Sequence, residues 1–245
     1  MNEEVLTSFF DDHQSRFSKE TIRSYRLSLQ QFFSFCKKGF SEVKAADIRA
    51  WLASLEEKGL KKQSIHIKLS GLKSFYHYCM EENLLKKNPL STVKTPKKDD
   101  VLPYYLSRRQ LAELQELTRN DDQFRPIIET LYSTGVRVSE LLQIKLEDIK
   151  WDTRQIWIRK GKGTKERFVL FSHDCAERLK LYLEKRETNS LFLFVNRRGG
   201  PLHREYIQKN FRNFSKSLGF KVSPHTLRHT FAAHLAEKNM PQSYI

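Results

Sequence analysis

The sequence predicts a two-domain protein, mainly α-helical, with one small β-sheet confined to its second half. Three observations lead there. Apolar residues recur at helical spacing through residues 1–92. A proline- and lysine-rich stretch, KKNPLSTVKTPKKDDVLPYYLS, interrupts that pattern. Beyond it, RQIWIRKGKGTKERFVLF alone reads as a β-hairpin. A chain of 245 residues suits one large domain or two modest ones, each able to bury a core.

In the first half, SKETIRSYRLSLQQFFSFCKKG places Ile22, Tyr25, Leu29, Phe32 and Cys36 on one helical stripe, and Gly39 suits the exit. ADIRAWLASLEEKG repeats the pattern with Ile48, Leu52 and Leu55, ending at Gly59. QSIHIKLSGLKSFYHYCMEENLL continues it with Ile65, Leu69, Leu72, Tyr76 and Cys79. With a short helix near the start, these predict a four-helix bundle. The faces turned away from the stripes carry Arg23, Arg26, Lys61, Lys62, Lys68 and Lys73. A charged outer face is usually just solvated, but one this uniformly positive points to contact with a DNA backbone.

Residues 93–105 read as a linker, because proline halts the preceding helix and lysine keeps the segment solvated. The second domain, residues 106–245, opens with SRRQLAELQELTRN, a helix capped by Ser107. RPIIETLYSTGVRVSELLQIKLEDI is apolar-rich and broken at Thr134 and Gly135. The hairpin flanks a turn containing Gly161 and Gly163, and CAERLKLYLEKR and REYIQKNFRNFSKSLG read as further helices. Ser223 followed by Pro224 starts a last helix, with Leu227, Phe231 and Leu235 as its buried stripe.

Charge narrows the partners. Lys and Arg number 44 against 29 Asp and Glu, a net charge of +15, with a pI near 9.7. That excess predicts an anionic partner, nucleic acid ahead of an anionic membrane surface. No stretch approaches the roughly 18 apolar residues of a membrane span. The start, MNEEVLTSFF, is acidic and lacks signal-peptide shape, so a cytoplasmic location is expected. Cys36, Cys79 and Cys175 are odd in number and far apart, as expected of reduced thiols rather than a disulfide framework.

Three clusters carry the chemistry. On the last helix His225 and Arg228 are three apart and therefore neighbours, and beside a positive helix end they suit a phosphate. Ordinary surface residues would fit the same spacing. A zinc site at His225 and His229 would need Glu after the first His, where Thr226 stands, so no metal is expected. In TGVRVSELL, Arg137 follows the Thr-Gly break with Glu140 one turn on. Two readings stay open: a simple ion pair, or a second phosphate clamp oriented by the carboxylate. In RKGKGTKER, Lys162 sits between two glycines at the hairpin tip, either solvated or able to donate a proton to a departing oxygen.

Together, TGVRVSELLQIKLEDI, GKGTKERFV and HTLRHTFAAHL resemble the arginine, lysine and His-x-x-Arg boxes of tyrosine recombinases. TIRSYRLSLQQFFSFC resembles their helical SAM-like core-binding domain. The chain is most similar to the Xer recombinases and to phage or transposon integrases of bacteria. The resemblance implies a two-domain clamp around duplex DNA and four protomers on two sites. Strands would be cut and rejoined through a 3′-phosphotyrosyl bond, with no cofactor. Arg137 and Arg228 would hold the non-bridging oxygens of the scissile phosphate. Lys162 would be the general acid, His225 would assist proton transfer, and Glu140 would support the site.

In that family a Leu-Gly-His or Trp box and the tyrosine nucleophile follow the last helix, whereas this sequence ends at Ile245. Tyr244 falls where the family has an ordinary residue. The sequence reading is therefore a C-terminally truncated form without its nucleophile, inactive in strand cleavage and monomeric in solution. The alternative is a non-catalytic relative that occupies recombination sites. A helix-turn-helix regulator would leave the Lys162 hairpin and the arginine boxes unexplained.

Overall fold

The computed structural model describes residues 2–95, 103–159 and 166–241. The chain forms two compact units, Met1–Val101 and Leu102–Ile245.

The first unit is helical. It contains α1 (Asn2–Asp12), α2 (Lys19–Cys36), α3 (Ala45–Glu57) and α4 (Lys62–Glu81), with a 3₁₀ turn at Phe40–Glu42. Ser18 starts α2 by accepting a 3.1 Å bond from the Thr21 N–H, and Lys37 ends it in the left-handed region at φ 50°. The apolar stripes converge as their spacing predicts. Leu29, Phe32, Ile48, Ile65, Leu72, Tyr76 and Cys79 are buried with Phe9, Phe10, Trp51 and Phe75. Gly71 lets α2 and α4 approach closely, since a Cβ there would lie 3.3 Å from Tyr25 Cδ1. Of the basic residues, Arg23, Arg26, Lys61, Lys62 and Lys73 are exposed and Lys68 is half-buried. The Arg26 guanidinium lies 4.5 Å from the Phe10 ring centroid. Lys68 Nζ donates to Gln31, and burial lowers the pKa of its ammonium.

The second unit contains α5 (Arg108–Leu117), α6 (Phe124–Thr134), the four-residue α7 (Val138–Leu141), α8 (His173–Lys185), α9 (Arg204–Leu218) and α10 (Pro224–Ala236). Between α7 and α8 lies an antiparallel sheet of β1 (Ile149–Lys150), β2 (Gln155–Ile158) and β3 (Arg167–Leu170), in the order β1-β2-β3. The predicted hairpin pairs Ile156 with Val169 and Trp157 with Phe168. The two-residue β1 has no signal in the sequence. Lys162, with Gly161 and Gly163, lies outside the described residues, as does Tyr244.

On α10 the buried side differs from the expected one. Leu227 is fully buried, but Phe231 and Leu235 are only half-buried, and Thr226, Thr230 and His234 fill the inner face. Hydrogen bonding makes this polar stripe tolerable. Thr230 Oγ1 accepts from the Leu106 N–H at 2.9 Å and donates to the Thr226 carbonyl at 2.8 Å. The two ring nitrogens of His234 lie 3.1 Å from the Leu106 carbonyl and 3.0 Å from the Tyr132 hydroxyl.

Candidate active site

The site begins where α6 stops. Gly135 takes φ +61°, a left-handed conformation that side chains resist, and its N–H closes on the Leu131 carbonyl at 3.0 Å. The chain then runs through buried Val136 to Arg137, which is extended and leads into α7. One turn on, Glu140 folds back. Its Oε2 accepts from the Arg137 N–H at 2.9 Å and its Oε1 from Arg137 Nη1 at 2.8 Å.

A second guanidinium arrives from β3. Arg167 donates from Nη1 to Glu140 Oε1 at 3.1 Å and from Nη2 to Oε2 at 2.7 Å. Each carboxylate oxygen thus has two donors, and the side chain is only 2% exposed. Burial alone would push the Glu140 carboxyl up, but the bonds from Arg167 and from the backbone and side chain of Arg137 outweigh it and hold the pKa at about 2. On acidification the unfolded chain therefore takes up this proton first. The stability that Glu140 contributes is expected in full above about pH 4.5 and to be lost as the pH falls towards 2. Unfolding measured against pH in the protein and in Glu140→Gln checks this: the variant should lack that segment of the acid dependence.

The third guanidinium is Arg228. Ser223 caps α10 by accepting from the Thr226 N–H at 3.0 Å, and Pro224 occupies the first turn. Arg228, one turn into α10, donates from Nη1 to the Gly135 carbonyl. Burial and the nearby Arg137 lower its pKa, with Arg167 adding to the effect and Glu140 opposing it. His225 is exposed, and its ring packs edge-on against His229 with centroids 4.3 Å apart. Burial, helped by His225 and Arg228, lowers the pKa of His229.

Arg137, His225 and Arg228 open onto one cleft of about 430 Å³. Its far wall is α9, which presents Arg204, Gln208 and Arg212 at four-residue spacing. Among the described residues no carboxylate and no tyrosine lines the cleft. Three guanidiniums around one carboxylate leave an excess of positive charge beside it, suited to an anion with several oxygens. The structure therefore brings together four residues singled out in the sequence, Arg137, Glu140, His225 and Arg228; Lys162 is not described. Arg167 and the α9 residues were not anticipated. The α9 set was legible in principle, since Ile207 and Phe211 are its buried stripe and Arg204 and Arg212 flank it. Of possible metal ligands, the described residues bring together only His173, Asp174 and Glu177, all exposed.

This arrangement has relatives. The model of the phage integrase family matches residues 105–245, and that of the N-terminal SAM-like domain of phage integrases matches residues 8–83. The chain belongs to the phage integrase family. Among family members, it is 36% identical over 250 residues to the tyrosine recombinase XerC of Bacillus licheniformis, covering 94% of this chain and 82% of the relative. To XerC of Bacillus subtilis it is 34% identical over 241 residues, covering 91% and 79%. Among solved structures, it is similar to the XerA recombinase at 30% identity and a TM-score of 0.55, covering 100% of this chain and 88% of that one. It shares the fold of a lambda integrase dimer bound to a COC′ core site, at 18% identity and a TM-score of 0.80, covering 99% and 92%. The integrase fold in both halves accounts for the mainly helical architecture with one small sheet. No helix among the described residues is long and apolar enough to cross a membrane.

Proposed function

We propose that this protein is a site-specific DNA recombinase that cuts and rejoins strands through a 3′-phosphotyrosyl intermediate. The observation that carries the reading is the cleft in which Arg137 and Arg228 converge with His225. As a tyrosine attacks the scissile phosphate, negative charge builds on the non-bridging oxygens. Two guanidiniums already fixed in place stabilise that charge without reorganising. Glu140 orients Arg137, and the Gly135 carbonyl orients Arg228. His225 hydrogen-bonds the phosphate and assists proton transfer, and Lys162 protonates the departing 5′-oxygen. Because the phosphotyrosyl bond conserves the energy of the phosphodiester, religation needs no cofactor.

Double-stranded DNA is the partner, held by Arg204 and Arg212 beside the cleft and by Arg23, Arg26, Lys61, Lys62, Lys68 and Lys73 in the first unit. With residues 93–105 taken as the linker, this reading assigns one DNA-binding surface to each domain. Assembly as a tetramer on two sites has a parallel in a lambda integrase tetramer bound to a Holliday junction, of the same fold at 18% identity and a TM-score of 0.80, with 99% of this chain and 72% of that one covered.

Two measurements test the reading. Duplex affinity should fall steeply with salt, with a log–log slope steeper than about −3, since each neutralised phosphate releases counterions. A nearly flat slope would remove the DNA surface from consideration. Covalent capture on nicked duplex, by a chain to which a segment carrying the family's tyrosine has been joined, should drop by roughly 10²–10³ in Arg137→Ala. Undiminished capture would mean the phosphate is held elsewhere.

A further inference from the structure

The bonding at Glu140 raises a problem that only a third residue solves. A carboxylate beside a lone arginine tends to engage two of its N–H groups side by side, because the two planar groups match. Here Arg137 commits just one side-chain N–H to Glu140, from Nη1. Among the described residues its Nη2 and Nε have no protein partner, and the side chain is 39% exposed at the cleft. The bidentate position on the carboxylate is taken instead by Arg167, with bonds of 3.1 and 2.7 Å, one to each oxygen.

We infer that Arg167 is a positioning residue: by occupying both oxygens of Glu140, it keeps the carboxylate from chelating Arg137 and leaves the remaining Arg137 donors free for phosphate. The inference rests on the assignment of Arg137 to the phosphate. Arg167 stands at the first position of β3, and Glu140 lies on α7, so the link also fixes the sheet against the element that presents Arg137. A lysine at position 167 would keep the charge but offer a point donor to one oxygen. The other oxygen would then be open to a second N–H from Arg137.

The test is titration of the folded chain with inorganic phosphate, followed by the backbone amide signals of residues 135–140 and 223–229. It compares the protein with Arg167→Lys, Arg137→Met and the double variant. Melting temperature and near-ultraviolet circular dichroism report that each is folded. Arg167→Lys is expected to bind phosphate about fivefold more weakly although net charge is unchanged. In the Arg137→Met background the same substitution should change nothing further, because its effect runs through Arg137. Phosphate binding by Arg167→Lys equal to that of the parent overturns the inference, since charge alone would then suffice. An equal loss in both backgrounds also overturns it, because Arg167 would then touch the anion itself. If Arg137→Met binds phosphate as well as the parent, the assignment of the site falls first, and the positioning role with it.

Discussion

Replacing Gly135 with alanine is expected to destabilise the catalytic unit by about 2–4 kcal/mol, through a left-handed backbone and an overpacked contact together. A Cβ at this position would stand 2.3 Å from Phe231 Cδ1 and 2.7 Å from Cε1, with φ at +61°. Phe231 belongs to α10, so relief of the clash moves the helix that carries His225 and Arg228. The carbonyl that receives Arg228 Nη1 is that of Gly135 itself. One methyl group should therefore lower both the unfolding temperature and phosphate affinity. Gly219 supplies the control. It ends α9 at φ +74° with nothing within 4 Å of a Cβ, so Gly219→Ala should cost only about 1 kcal/mol. Measured against Phe231→Ala alone, Gly135→Ala should cost only the backbone part, because the packing part is then removed. Equal costs at the two glycines would show that the Phe231 contact is unimportant.

The second large effect is expected at Glu140. Removing its charge in Glu140→Gln leaves Arg137, Arg167 and Arg228 without the carboxylate between them. Breaking a buried ion pair from one side costs about 3–5 kcal/mol. Arg137 and Arg167 are 39% and 34% exposed, so solvent shares the charge and the lower part of that range is expected. Binding and chemistry should separate in this variant. The cluster becomes more positive, so affinity for duplex DNA should hold or rise, while covalent capture by a chain with the family's tyrosine segment joined to it falls as Arg137 loses its anchor. A parallel fall in both would mean that Glu140 serves only the fold.

What could be read from the sequence was local. Ser107 and Ser223 announce their helices because a cap is a contact across three residues, and Gly135 marks a stop because only its own backbone is concerned. Arg137 and Glu140 are likewise three apart, so their pairing was one of two readings already open. Arg167 was invisible for the opposite reason. It is one of 44 basic residues, it reaches a partner 27 positions away, and no periodicity links a strand residue to a four-residue helix. The inner face of α10 failed differently. Hydrophobicity favoured Leu227, Phe231 and Leu235, whereas the helix is rotated so that Thr226, Thr230 and His234 face inward. Facing inward, Thr230 and His234 bond the backbone of Leu106, a partner more than a hundred positions away that no helical pattern could reveal.

The same contact at Leu106 ties the start of the second unit to its last helix. Leu106 is the first buried residue after the linker, and both its N–H and its carbonyl are engaged by α10, at Thr230 and His234. A pull on the backbone at Leu106 would therefore act first on α10, the helix that carries Arg228.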